Sequence, residues 1–457
     1  MTAAVASRQL PVLALVGRPN VGKSSLFNRL TASRDALVAD QPGVTRDRQY
    51  GYAESGGRRY IVIDTGGIGQ DDETIDEAAQ VQTDLALDEA DAVIFLTDAR
   101  QGAVAADTII ATRLRRLDRP VFVAANKSEG LGRAAATAEF HALGLGEPWA
   151  ISAQRGDHVA PLLEQVLDEL GATAAGAAPE AAAAGIRLAL IGRPNAGKST
   201  LVNRLLGEQR MLALDEPGTT RDAVASDFSF AGEPWTIVDT AGIRRRARVR
   251  DHLERISIIK AMQAAEQADV VILMLDAQSG LSAQDARLLA LVQERGRAAV
   301  IALNKWDGLS AKQRQQLHRE LRARIGAFDY LPLCFISALH GTGLRNLLAA
   351  AKASHAAANA ELPTPDLARV LAAAVQAHAP PAIQGRRIKL RYAHQGGRNP
   401  PTIVIHGNQT QRLSDEYKRY LIRRFREAFD LFGTPITLVL RNSRNPYARE
   451  GGRRKSR

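Results

Sequence analysis

The chain has 457 residues, 45% hydrophobic and 24% charged, with a formal net charge of +11. This length exceeds one ordinary core and predicts about three units, while no apolar stretch approaches the ~20 residues that would span a membrane. The lone Cys334, inside LPLCFI, excludes an internal disulfide and reads as a packed thiol. With an opening MTAAVASRQL that has no apolar h-region, a cytoplasmic protein without a membrane partner is expected.

In chain order, the first predicted strand, VLALV, runs into GRPNVGKSSLFNRL at Gly17. PGVTRD follows from Pro42, then the strand YIVID closing on DTGGI at Asp64, then AVIFL, VFVAA with NKSE at Asn126, and ISA at Ile151. GATAAGAAPEAAAAG, residues 171–185, is too poor in large apolar groups to pack a core and reads as a linker. The series then returns. LALI leads into GRPNAGKSTLVNRL at Gly192, PGTTRD stands at Pro217, TIVD into DTAGI at Asp239, VVILML and AVIAL into NKWD at Asn304, and ISA at Ile336. The offset is 175 for the first three motifs, 178 for NK and 185 for ISA. Spacing that loosens only late means duplication of a whole domain. Near-continuous apolar strands alternating with helical stretches predict, in each copy, a mainly parallel sheet with helices on both faces.

The remainder is smaller and basic. Residues 361–457 hold 19 Lys+Arg against 7 Asp+Glu, whereas residues 1–360 hold 41 against 42. A helix over 366–377, strands near Ile388–Tyr392 and Thr402–His406, a helix from Asp415 to about Leu431 and a strand near Ile436–Leu440 predict an α+β module. In the second helix Tyr417, Leu421, Phe425 and Phe429 form an apolar stripe, and Arg419, Arg423 and Arg426 line another face. With Arg387, Lys389, Arg391 and the tail RNSRNPYAREGGRRKSR, that face is either a solvated surface or a phosphate-contacting one.

The chemistry lies in the repeated motifs. Gly17, Arg18, Pro19, Asn20, Val21, Gly22, Lys23 and Ser24 fit G-x-x-x-x-G-K-[ST], as do Gly192, Arg193, Pro194, Asn195, Ala196, Gly197, Lys198 and Ser199. The glycines let backbone N–H groups curl round a phosphate, and the following helix turns its positive end toward it. Lys23 and Lys198 are expected on the β- and γ-phosphates, with the Ser24 and Ser199 hydroxyls on Mg²⁺. Asp64 and Asp239 are expected to reach that metal through water, and Thr45 and Thr220 to join it when a switch loop closes. The N–H of Gly67 or Gly242 is expected to sense the γ-phosphate, with Thr65, Gly66 and Ile68, and Thr240, Ala241 and Ile243, beside it in the nucleotide site.

A phosphate loop alone leaves the base open. Asp307 decides it: one carboxylate accepts two hydrogen bonds from N1 and N2 of guanine, a pair that adenine does not offer. Asn304 is expected at the base edge and Lys305 along the ring, with Trp306 between Lys305 and Asp307. Asn126, Lys127, Ser128 and Glu129 take these places in the first copy, and Ser152 with Ala153, and Ser337 with Ala338, stand in the neighbouring loops.

On these motifs, and on RRIKLRYAHQGGRNPPTIVIHGNQ in the last module, the chain resembles the bacterial Der (EngA) GTPases. The resemblance implies two P-loop GTPase domains and a C-terminal KH-like domain. The expected bounds are 1–170 and 186–355 for the G domains, 362–442 for the KH-like domain and 443–457 for a basic tail. It further implies GTP hydrolysis to GDP with Mg²⁺, a role in maturation of the large ribosomal subunit with contact to its rRNA, and a monomer when free.

Two departures stand out. Glu129 occupies the place of the family's Asp, and Ile68 and Ile243 stand where Ras-like enzymes carry a water-orienting Gln. Asn20 and Asn195 are either loop-stabilising residues or, as in similar GTPases, ligands that help to hold K⁺. Residues 361–457 contain no G-x-x-G, the loop through which KH domains grip nucleotides, so structured rRNA met by shape and charge is the expected partner. The rival readings are a metabolic phosphotransferase, which would prefer ATP, and an assembly protein whose nucleotide is only structural.

Overall fold

The computed structural model describes residues 10–31, 49–65, 86–172, 185–207, 225–238, 258–383 and 386–442. The chain divides into two units, Met1–Ala183 and Ala184–Arg457.

The first unit is built on β1 (Val12–Val16), β2 (Gln49–Ser55), β3 (Arg58–Asp64), β4 (Ala92–Asp98), β5 (Val121–Asn126) and β6 (Trp149–Ala150), ordered β2-β3-β1-β4-β5-β6. Only the β2/β3 pair is antiparallel. Every residue of β1 and β4 is buried, as expected for central strands covered on both faces. Helix Lys23–Thr31 contributes Leu26, Phe27 and Leu30 to a core closed by Leu162, Leu163, Val166 and Leu167 of helix Val159–Glu169.

The second unit repeats this plan with β7 (Ile186–Gly192), β8 (Ala225–Phe230), β9 (Glu233–Val238), β10 (Val270–Asp276), β11 (Ala298–Asn304) and β12 (Leu333–Phe335), ordered β12-β11-β10-β7-β9-β8. Trp235 on β9 is fully buried against Phe228 and Phe230 of β8, with ring centroids 5.9 and 6.1 Å away. Cys334 is half-buried on β12, and burial pushes its thiol up to about 11, which keeps it protonated and unreactive.

The same unit carries the C-terminal module. A short pair, β13 (Ala382–Ile383) and β14 (Arg386–Arg387), precedes a sheet of β15 (Lys389–Gly397), β16 (Thr402–Asn408) and β17 (Thr437–Asn442), with β15/β16 antiparallel and β16/β17 parallel. Helices Thr364–Ala377 and Asp415–Phe429 cover one face, packing Leu367, Leu371, Tyr417, Leu421 and Phe425 onto Ala393, Ile403 and Ile405. Ser414 caps the second helix by accepting from Tyr417 N.

One expectation fails in this module. Arg426 does not join Arg419 and Arg423 at the surface: it is buried, its guanidinium 4.0 Å from the Tyr330 ring centroid, and it donates to the carbonyls of Leu431 and Thr434. Helical spacing alone groups the three arginines, but Arg426 faces the neck where the module meets the repeated domain. There Ala299 N donates to Gly433 O at 2.8 Å, and Gly433 N to Tyr330 O at 2.9 Å.

Candidate functional site

In each copy the loop after the first strand is held by three contacts. Gly17 runs so close to β4 that an added β-carbon would lie 2.4 Å from Leu96 O, and Gly192 stands likewise 2.4 Å from Met274 O. Asn20 and Asn195 adopt left-handed backbone, φ 65° and 61°, which short polar side chains tolerate. Lys23 Nζ then closes the loop by donating to Gly17 O and Arg18 O, both at 2.8 Å, and Lys198 Nζ does the same to Gly192 O and Arg193 O at 2.7 Å. Burial pulls the Lys23 amine down to about 8, Asp64 opposing and Arg18 adding to the shift. A desolvated cation beside a helix N-terminus attracts an anion.

Ser24, at the second position of that helix, donates its hydroxyl to Asp64 Oδ2 at 2.9 Å. Two oxygen donors suited to a hard divalent cation thus stand together at the end of β3. Thr65 is tied back by its hydroxyl to Leu15 O. Thr45, Gly66, Gly67, Ile68, Thr220, Asp239, Thr240, Ala241, Gly242 and Ile243 lie outside the described residues.

Asn126, ending β5, donates from Nδ2 to Val21 O at 2.8 Å and accepts at Oδ1 from Ala153 N at 2.8 Å. Asn304 makes the same pair of bonds to Ala196 O and from Ala338 N, at 2.8 and 2.9 Å. One buried amide therefore joins the phosphate loop, the NK loop and the SA loop in each copy. Lys127 and Lys305 follow in left-handed backbone, φ 64° and 61°, and pair with Asp98 and Asp276, each at 2.7 Å. Burial pushes the Asp98 carboxyl up, but the Lys127 ammonium and the Arg100 N–H outweigh it and hold the group below the usual range.

The copies diverge at the fourth position of this motif. Asp307 Oδ2 lies 3.4 Å from His340 Nε2. Glu129 instead has Oε2 buried with no hydrogen-bond partner among the described residues, and its Oε1 is 3.8 Å from Arg100 Nη2. Its own backbone N–H, the Ser152 hydroxyl and the charges of Arg100 and Arg155 hold this carboxyl low, against some desolvation. Ser128 is turned inward, its hydroxyl donating to Ile151 O. In its place Trp306 packs against Phe335, ring centroids 4.2 Å apart and tilted by 34°, and lies under Arg314 at 5.3 Å. Ser152 and Ser337 are buried and accept from Arg155 N and His340 N.

Arg18 and Arg193 point away from the loop cradle. Arg18 Nε pairs with Asp107 Oδ1 at 3.2 Å, and Arg193 Nε with Asp285 Oδ2 at 2.9 Å, both carboxylates being fully buried. Asp107 and Asp285 also accept the backbone N–H groups of Val104 and Ser282 at the starts of their helices. Sequence reasoning missed these acids and Asp98 and Asp276. The signal is present, because the offset of 178 that carries Asn126 to Asn304 also carries Asp98 to Asp276 and Asp107 to Asp285.

The profile described as "50S ribosome-binding GTPase" matches residues 12–127 and again 187–305, and that described as "KH-domain-like of EngA bacterial GTPase enzymes, C-terminal" matches residues 361–441. The GTPase Der of Methylococcus capsulatus is 52% identical over 441 residues, covering 96% of this chain and 94% of the relative. The chain belongs to the Der (EngA) family of GTPases. The GTPase Der of Thiobacillus denitrificans, 52% identical over 453 residues, covers 97% of this chain and 94% of its own. That of Halorhodospira halophila is 52% identical and covers 96% and 93%. For a Der-family chain, the duplicated sheets and the α+β module are thus the family's two GTPase domains and its KH-like domain. Among the described residues no helix is long and apolar enough to cross a membrane.

Proposed function

We propose that both copies bind and hydrolyse GTP, and that the chain acts as a Mg²⁺-dependent switch on the large ribosomal subunit, touching rRNA through its C-terminal domain. The observation that carries this reading is the repeated constellation of glycine, lysine and asparagine, assembled by the same bonds in both copies. Gly22 and Gly197 leave a cradle that a β-carbon would fill, and Glu129 Oε2, buried without a hydrogen-bond partner among the described residues, is free to accept from a guanine donor.

In this scheme Lys23 and Lys198 neutralise the β- and γ-phosphates, and Asp307 and Glu129 select guanine. Ser24 and Asp64, with Thr45, hold Mg²⁺ in the first copy; Ser199, Asp239 and Thr220 hold it in the second. Bound Mg²⁺ supplies charge neutralisation at the phosphates. Asn20 and Asn195 help to place K⁺, because Ile68 and Ile243 cannot orient water by hydrogen bonding. The domain bounds of 1–170, 186–355 and 362–442, with a linker at 171–185 and an RNA-contacting tail at 443–457, belong to the same proposal. So do a free monomer and a cytoplasmic location.

The test is multiple-turnover GTP hydrolysis in K⁺ and in Na⁺ at equal ionic strength, together with cosedimentation with purified large subunits. Faster turnover in K⁺ and GTP-dependent cosedimentation are expected. Single-turnover behaviour, or no cosedimentation with any nucleotide, would contradict the switch reading.

A further inference from the structure

The sheet of the KH-like domain has two unlike faces. Ala393, Ile403 and Ile405 turn to the helices and are core. The alternating positions carry the rings of Tyr392, His394 and His406, beside a buried Val404. Tyr392 on β15 pairs in register with His406 on β16, which pairs in turn with Arg441 on β17, while His394 pairs with Val404, which pairs in turn with Val439. The three rings form one cluster: Tyr392 and His394 are stacked at 5.2 Å and 17°, His394 and His406 are stacked at 5.2 Å and 25°, and Tyr392 and His406 are tilted at 5.3 Å and 33°. Tyr392 is 43% exposed, Arg441 is exposed, and His394 Nδ1 is buried without a hydrogen-bond partner among the described residues.

We infer that this outer sheet face is a stacking platform for unpaired RNA bases. Near-parallel rings on the open side of a sheet are how single-stranded RNA is read without a clamp loop. The face sits in a stretch with 19 Lys+Arg against 7 Asp+Glu, so a polyanion is the complementary occupant. Base stacking on an aromatic ring is tolerant of sequence and is worth enough per base to be read by substitution. The absence of G-x-x-G from residues 361–457 leaves the usual KH grip unavailable, and the ring stack supplies another. The inference rests on the reading that the C-terminal domain contacts RNA.

The test uses the full chain and two fluorescein-labelled probes, an oligoadenylate of about ten nucleotides and an RNA duplex of similar length. Tyr392→Ala and His406→Ala are each expected to weaken oligoadenylate binding about tenfold. Tyr392→Phe, which keeps the ring, should bind within about twofold of the unsubstituted chain. Because stacking releases no counterions, the dependence of affinity on salt should be unchanged, and duplex binding and GTP hydrolysis should be unaffected. Oligoadenylate affinity equal to that of the unsubstituted chain in both alanine variants would overturn the platform while leaving RNA contact elsewhere intact. Retained oligoadenylate affinity with lost cosedimentation with large subunits would assign the face to a protein partner and also overturn it. If the unsubstituted chain binds neither probe, the broader reading fails and the platform with it.

Discussion

Gly22 and Asn126 lie so close that a β-carbon on the glycine would fall 2.2 Å from Asn126 Nδ2, and Gly197 stands 2.1 Å from Asn304 Nδ2 in the same way. The glycines also take φ of 99° and 96°, backbone that L side chains rarely adopt. Gly22→Ala should therefore displace the asparagine, open the phosphate loop and abolish nucleotide binding in the first copy alone, with Gly197→Ala doing so in the second. Titration with a fluorescent GDP derivative counts the surviving sites. Two intact sites in either variant would show that the contact gives way without consequence.

Asn304→Ala removes the one side chain that satisfies both Ala196 O and Ala338 N. Leaving buried backbone groups unpaired costs about 1–3 kcal/mol each. The second domain should lose roughly 2–6 kcal/mol by this argument and unfold at lower temperature even without nucleotide. Calorimetry of the nucleotide-free variant checks it, and an unchanged midpoint would mean that the amide serves only the ligand.

The Lys23 amine gives a proton linkage of known sign. Its pKa near 8 in the free site means that it is charged below that pH and neutral above it. A bound phosphate favours the charged form, so above pH 8 binding must take up a proton. GTP affinity of the first copy should be flat at lower pH and fall as pH rises through 8. Isothermal titrations at pH 9 in buffers of different ionisation enthalpy should show proton uptake, which Lys23→Arg removes because a guanidinium does not titrate there.

Arg426 should be structural. Replacing it with alanine strips two buried carbonyls of their donor and Tyr330 of its cation, for a loss of about 2–3 kcal/mol, since hydrogen bonds from charged groups are worth more than neutral ones. Arg423→Ala, an exposed residue paired with Glu427, should cost little. Chemical denaturation of the two variants separates them, and equal midpoints would contradict the buried role.

The central strands are legible because every residue of VLALV and AVIFL is buried, so apolarity alone marks them. β2 escapes that reading: among the described residues it pairs only with β3, and its residues QYGYAES range from exposed to buried, leaving no continuous apolar run. β6 has two residues and no period at all. The site motifs are legible by their recurrence, yet their internal bonds are not. That Asn126 holds three loops together, or that Arg18 turns to Asp107, depends on strands brought side by side by the sheet order. Arg426 illustrates the same limit, since its environment is set by Tyr330 from a different domain.

The central claim is that both copies are guanine-nucleotide sites. Calorimetric titration of the purified chain with GDP and with ADP tests it most directly, with Lys23→Ala and Lys198→Ala alongside. The account predicts two GDP per chain, one in each variant, and no measurable ADP binding. A single GDP site in the unsubstituted chain, or ADP bound as well as GDP, would contradict it.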